Sequence, residues 1–233
     1  MKNDLNVKSR IILALDYDNV EECVNLIRET KDFIGVYKLG LEFFVAQGMN
    51  GVLQIKDQFP DIKIFLDLKL HDIPNTVKGA ALAINRLNPL FLTVHASGGQ
   101  EMIRAATNAL PDTYITAVTV LTSLDSQALA GMGMPSDSEK LAVQLALSSV
   151  ESGARAIVCS PLEVAKIRAA VGDGVVLITP GVRPANTSLD DQKRVMSPEQ
   201  ALKAGSDLLV IGRPITQSAN PGQAAAEIYK TLA

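Results

Sequence analysis

The chain has 233 residues, of which 47% are hydrophobic and 20% charged; a chain of this size and apolar content can bury about three-quarters of its unfolded surface in one domain, which excludes disorder. Its 22 Lys and Arg are scattered among 25 Asp and Glu, giving a formal charge of −3, which argues against nucleic acid as the main partner and leaves room for a local anion pocket. Apolar runs such as Pro89 to Val94 and Val175 to Ile178 are far shorter than the roughly 18 residues of a membrane span, and Met1-Lys2-Asn3-Asp4 is polar with no hydrophobic region behind it, so a cytoplasmic protein without a membrane partner is expected.

In chain order, Ile11 to Leu15 is a short apolar run, and Val20 to Thr30 follows with helical spacing, apolar at Val20, Cys23, Val24 and Ile27. The βα pattern recurs in Val36 to Leu39 and Glu42 to Gln58, broken at Gly48 and Gly51; in Ile62 to Leu68 and Pro74 to Leu87; and in Phe91 to His95 and Gln100 to Ala109. The second half repeats it. Ile115 to Val120 precedes Glu139 to Ser149, Ala156 to Cys159 precedes Leu162 to Val171, Val175 to Thr179 precedes Pro198 to Lys203, and Leu208 to Ile211 precedes Gln223 to Leu232.

These units define the class as α/β, and strands that are continuously apolar suit a parallel sheet covered on both faces. A (β/α)8 barrel fits best, with residues 1–233 as a single catalytic domain; a doubly wound open sheet is the weaker reading, because no Gly-rich dinucleotide turn follows the first strand. The stretches without periodicity, Thr122 to Ser138 and Pro180 to Met196, are loops after strands, where function often resides.

Polar residues gather at the strand ends. Asp16 ends the first, Lys38 lies near the end of the second, Asp67 and Lys69 end the third and His95 the fourth; Thr122 and Ser123 follow the fifth, Arg183 the seventh, Gly212 and Arg213 the eighth. In a barrel they share the carboxyl-terminal rim, which holds the active site, with phosphate often bound by the loops after strands seven and eight. Pro180-Gly181-Val182-Arg183 and Gly212-Arg213 match that rule, since glycine lets backbone N–H groups approach a phosphate and arginine offers a bidentate fork.

The sharpest cluster is Asp67-Leu68-Lys69-Leu70-His71-Asp72-Ile73-Pro74. Residues two apart on a strand share a face, so Asp67 and Lys69 should project into the barrel mouth while Leu68 packs outward; Asp72 sits in the following turn. Flanking carboxylates favour the charged ammonium, which makes such a lysine an acid and an electrostatic anchor rather than a free-amine nucleophile. With Lys38 and Asp16 on adjacent strands, an alternating network of charges is expected. His95 reads either as a general base or as a hydrogen-bonded structural histidine, and His71 as a residue behind the reacting groups. Cys23 and Cys159 read as packing residues, and two histidines cannot build a three-His metal site. Asp112, Asp137 and Asp173 stand in turn-like surroundings and need no chemical role.

The run Phe65 to Thr76 resembles the signature of the orotidine 5′-phosphate decarboxylase family. The likeness continues through Leu13-Ala14-Leu15-Asp16, Lys38-Leu39-Gly40, Thr122-Ser123-Leu124, Thr179-Pro180-Gly181-Val182-Arg183, Asp191-Gln192-Lys193-Arg194 and Ile211-Gly212-Arg213-Pro214, and so covers essentially the whole chain. The resemblance implies loss of CO2 from C6 of orotidine 5′-monophosphate to give UMP, with no metal or organic cofactor. It implies that Lys69 stabilises the carbanion and protonates it, that Asp67 faces the departing carboxylate or orients Lys69, and that Asp16 and Lys38 bind ribose hydroxyls. It further implies a homodimer in which Asp72 and Thr76 reach into the neighbouring subunit's site. Thr122, or Ser123 beside it, would contact the pyrimidine; Gln192 and Arg213, with Arg183, Pro180 and Gly212 near them, would hold the phosphate, and the loop from Pro180 to Met196 would act as a lid. The Asp-x-Lys-x-x-Asp core also occurs in Mg-dependent hexulose-phosphate synthases, which stand as the alternative beside a non-catalytic phosphosugar-binding barrel.

Overall fold

Strands whose side chains are all apolar must be covered on both sides, and here they are. The computed structural model describes residues 9–182 and 196–232. In it β1 (Ile11–Leu15), β2 (Val36–Leu39), β3 (Ile64–Leu70), β4 (Phe91–His95), β5 (Tyr114–Val118), β6 (Ala156–Val158), β7 (Val176–Thr179) and β8 (Leu208–Ile211) form a closed barrel in sequence order. Every pairing is parallel, and β1 joins β8 to complete the ring. The closure rules out the open doubly wound sheet.

Around the barrel run α1 (Val20–Thr30), α2 (Leu41–Gln58), α3 (Pro74–Ile84), α4 (Gln100–Ala109), α5 (Ser126–Gly131), α6 (Ser138–Glu151), α7 (Val164–Val171), α8 (Pro198–Lys203), α9 (Arg213–Thr216) and α10 (Pro221–Leu232). Local chemistry starts several of them. The Asn19 and Asp137 side chains accept from the Glu22 and Lys140 amides at the starts of α1 and α6, and Ser197 and Gln200 form a reciprocal capping box at α8. In α1 the apolar stripe buries Cys23, Val24 and Ile27 against the barrel wall.

Alternation along the strands separates two cores. Ile11, Leu13, Leu15, Leu66 and Leu68 pack outward with the helices, whereas Ile12, Val36, Phe65, Phe91, Tyr114, Ala156, Val176 and Leu208 fill the barrel interior. Phe91 packs between Phe65 and Tyr114, with centroids 5.5 and 5.4 Å apart. Two residues further along the chain, the inward positions of successive strands become Ala14, Lys38, Asp67 and Thr93. The apolar plug thus ends where the polar rim begins.

Several boundaries differ from the sequence expectation. β3 runs two residues later than Ile62 to Leu68, so Asp67 and Lys69 lie within it, and β5 stops at Val118 rather than Val120. The expected break in the second helix occurs at Gly48 alone (φ 59°), while Gly51 remains buried in the helix. The third helix yields at Asn85 to a 3-10 turn ending at Leu87. Short α5 and α9 were not legible as apolar periods, being four to six residues long.

Candidate active site

β3 carries an irregularity at its chemically richest point. Phe65 pairs with Phe91 and Leu66 with Leu92, but the next paired residues are Leu70 and Val94, so Asp67, Leu68 and Lys69 stand opposite the single residue Thr93. Such a bulge bends the strand and re-aims its side chains. Lys69 absorbs the distortion with φ +48°, an uncommon region for a side-chain-bearing residue. The expectation that Asp67 and Lys69 share a face holds, although the bulge rather than a regular pleat brings them together.

The charges alternate along the rim. Lys38 Nζ lies 2.9 Å from Asp16 Oδ1 and 3.6 Å from Asp67 Oδ2, and Lys69 Nζ lies 2.8 Å from Asp67 Oδ1. Asp67 is the enclosed centre, its side chain 15% exposed against 60% for Asp16. Burial works against a charge there, but the attraction of Lys38 and Lys69 and the hydrogen bonds from Lys69 and Thr93 outweigh it, holding the Asp67 carboxyl below its ordinary pKa. Both lysines therefore face a carboxylate.

Two hollows meet over this network. The first is lined by Lys38, Asp67 and Lys69 together with Val118, Val120, Val158 and Val210, and also by Phe65, Thr122 and Pro180. A hollow that combines charged and aliphatic lining suits a polar ring. The second is lined by Asp16, Lys38, Pro180, Gly181, Gly212 and Arg213 among others. It suits an anion: Arg213 contributes a cation, and Gly181 adopts φ +76°, a conformation glycine takes without steric cost. Lys38, Pro180 and Val210 line both hollows, so the two are continuous.

The structure thus gathers Asp16, Lys38, Asp67, Lys69, Thr122, Pro180, Gly212 and Arg213 at one mouth. It does not bring Asp72 and Thr76 there. Both are exposed, on the turn after β3 and the first turn of α3, and the Asp72 carboxylate accepts from the Ile73 amide at 2.6 Å. Arg183, Gln192 and the body of the expected lid lie outside the described residues; Val182 and Met196, on either side of them, form a parallel bridge.

His95 stands with its ring centroid 5.4 Å from that of His71. Burial, His71 and Lys69 together push its pKa below the ordinary histidine value against a smaller opposing pull from Asp67, so the neutral ring is favoured. Burial also raises the thiols of Cys23 and Cys159, in keeping with their reading as packing residues. Sequence reasoning missed Thr93 and the valines that line the first hollow. Thr93 is fully buried, donates to Asp67 Oδ1 at 3.0 Å and accepts from the Lys69 amide at 2.8 Å. The available signal was a hydroxyl inside an apolar strand, two residues before His95 and on the same inward face.

The profile of the orotidine 5′-phosphate decarboxylase / HUMPS family matches residues 9–228. The chain belongs to that family. Within it, the chain is 51% identical over 222 residues to orotidine 5′-phosphate decarboxylase of Thermobifida fusca, covering 95% of each chain. It is 46% identical over 227 residues to the Anaeromyxobacter dehalogenans decarboxylase, covering 96% of this chain and 98% of that one. Its fold superimposes on the crystal structure of orotidine 5′-phosphate decarboxylase from Lactobacillus acidophilus with a TM-score of 0.84 and 35% identity, over 97% of this chain and 99% of that one. The decarboxylase-family match takes in all eight strands and every described residue of both hollows.

Proposed function

We propose that the chain decarboxylates orotidine 5′-monophosphate to UMP and CO2. Family membership and the near-full-length decarboxylase relatives support the activity. The observation that carries the mechanism is the Lys69 ammonium held 2.8 Å from the half-buried Asp67 carboxylate, both lining the same hollow.

The pyrimidine would occupy the first hollow, with Thr122 at its polar edge, and the phosphate the second, against Arg213 and Gly212, with Arg183 and Gln192 completing its shell. Asp16 and Lys38, where the hollows join, would bind the ribose hydroxyls. Breaking the C6–carboxylate bond leaves its electron pair in the ring plane, where the π system cannot spread it, so stabilisation must be electrostatic. The Lys69 ammonium beside C6 supplies it and then transfers a proton to C6, regaining one from water after product leaves. Asp67 holds Lys69 in line and presents negative charge to the departing carboxylate. This chemistry asks for no metal or organic cofactor. The unreacting phosphate contributes to rate only if its binding organises the site for the transition state.

The site would be completed in a homodimer by Asp72 and Thr76 of the opposite subunit. Their exposure supports this, as does the neighbouring apolar surface: Ile73 is 66% exposed, and Leu41 and Val45 at the start of α2 are 53% and 83% exposed.

The deciding experiment adds orotidine 5′-monophosphate to purified protein and follows the loss of its absorbance with and without EDTA. Turnover unaffected by EDTA is expected. Inactivity toward this nucleotide, with Mg-dependent aldol chemistry on a hexulose phosphate, would replace the proposal by the synthase reading; phosphosugar binding without turnover would leave a binding barrel.

A further inference from the structure

We infer that Thr93 is a positioning residue of this site, its hydroxyl pinning Asp67 and the Lys69 backbone to one another across the β3 bulge. The inference rests on the decarboxylase reading above and concerns a residue outside the charged network.

The bulge removes Lys69 from the regular ladder: between the Leu66–Leu92 and Leu70–Val94 pairs, no residue of β4 other than Thr93 is available to it. The Lys69 N–H, which would otherwise point to a strand carbonyl, goes instead to Thr93 Oγ1 at 2.8 Å. A threonine hydroxyl has one proton to give, and here it goes to Asp67 Oδ1 at 3.0 Å. That same Oδ1 receives Lys69 Nζ at 2.8 Å. One hydroxyl therefore closes a ring through the lysine's backbone, its own side chain and its carboxylate partner, and both its donor and its acceptor directions are used.

Other buried threonines behave differently. Thr30, Thr113 and Thr116 donate to the backbone carbonyls of Leu26, Pro89 and Tyr114, as a hydroxyl satisfying itself does. Thr93 spends its proton on a side-chain carboxylate of the neighbouring strand. Its branched Cβ restricts χ1, and at 0% exposure no water competes for the bond, so the direction it imposes on Asp67 is fixed. Without the hydroxyl, Asp67 would keep its two lysines but lose the only one of these bonds made by a stiff side chain. Lys69, already at φ +48°, would lose its amide anchor. The fold tolerates such a change, because a valine fills the same space; the placement of the ammonium does not.

The test compares Thr93→Val, which keeps the shape and deletes the hydroxyl, with Thr93→Ser, which keeps the hydroxyl. Misplacing a reacting group by an ångström costs up to about a hundredfold in rate, so Thr93→Val is expected to lower kcat roughly ten- to hundredfold with KM within about threefold of wild type. Thr93→Ser should return kcat to within about threefold. Wild-type kcat in Thr93→Val overturns the inference, as does a Thr93→Ser variant as slow as Thr93→Val, or a change confined to KM. If Thr93→Val lacks the circular dichroism of the wild type, Thr93→Ala takes its place, and failure of both to fold overturns the inference by showing a role in the barrel itself. Inactive wild-type protein would refute the decarboxylase reading, and this inference with it; active wild type with an equally active valine variant refutes the inference alone.

Discussion

In the proposed mechanism Lys69 would do two things that normally conflict: remain a cation beside a developing negative charge, and surrender a proton to it. The geometry reconciles them by pairing the ammonium with Asp67, whose carboxylate is itself held ionised by Lys38 and Lys69. On that proposal Lys69→Ala would remove both the electrostatic stabiliser and the proton donor. Each such group is worth about 10²- to 10⁴-fold, so kcat should fall by at least ~10⁴ while circular dichroism stays that of the wild type. If Arg213 holds the phosphate as proposed, Arg213→Ala would delete one charge-assisted contact worth about 1.5 to 3 kcal/mol and should raise KM roughly ten- to hundredfold, measured by initial rates. Asp67 also sets a pH dependence. Its folded pKa lies below the ordinary 3.8, so the native state binds its proton less readily than the unfolded chain. The stability this contributes is present above that ordinary value and is lost as pH falls through the lower folded one. Denaturant titrations of wild type and Asp67→Asn should therefore show a stability gap at neutral pH that narrows below about pH 3.8.

At the level of elements, the strands were legible because a parallel sheet buried on both faces demands unbroken apolar runs, and little else in a sequence of this length supplies them. α5 and α9 were not, since a single helical turn or two has no period to read; Asp125, whose side chain accepts from the Ala128 amide, is the local signal for α5. The bulge in β3 was hidden for a different reason. Alternation of Asp67, Leu68 and Lys69 suits a regular strand equally well, and only the register with β4 shows that these residues oppose one threonine. So the members of the charged network could be read from their positions at strand ends, while the device that aims them required pairing information from a distant segment. Helix starts follow the opposite logic, because a cap is a local bond. Asp137, which sequence reading left without a chemical role, accepts from the Lys140 amide at 3.0 Å at the start of α6. Asp137→Ala should cost about 1 kcal/mol, a fall in Tm of roughly 2–4 °C by calorimetry, with kcat unchanged.

For the molecule as a whole, the rim presents an imbalance: Asp16, Lys38, Asp67 and Lys69 face the mouth, whereas Asp72 and Thr76, from the same run of sequence, face outward beside Ile73. The proposed twofold dimer would resolve it, since an isologous contact that covers the starts of α2 and α3 would carry each subunit's outward residues toward the other's mouth. Leu41, Val45 and Ile73 follow β2 and β3, which are adjacent in the barrel, so their exposed apolar surface lies on one side of the rim. The arrangement makes an asymmetric demand on mixed dimers. In a hybrid of Lys69→Ala with Asp72→Ala subunits, one site would combine both lesions and the other neither. Each variant alone should be nearly inactive, and random reassortment, which makes half the dimers hybrid with one intact site each, should restore about a quarter of wild-type activity. Dimers separated by differently tagged subunits would locate that activity in the hybrid fraction. Confirmed hybrids that remain as inactive as their parents would mean that Asp72 serves its own subunit or none.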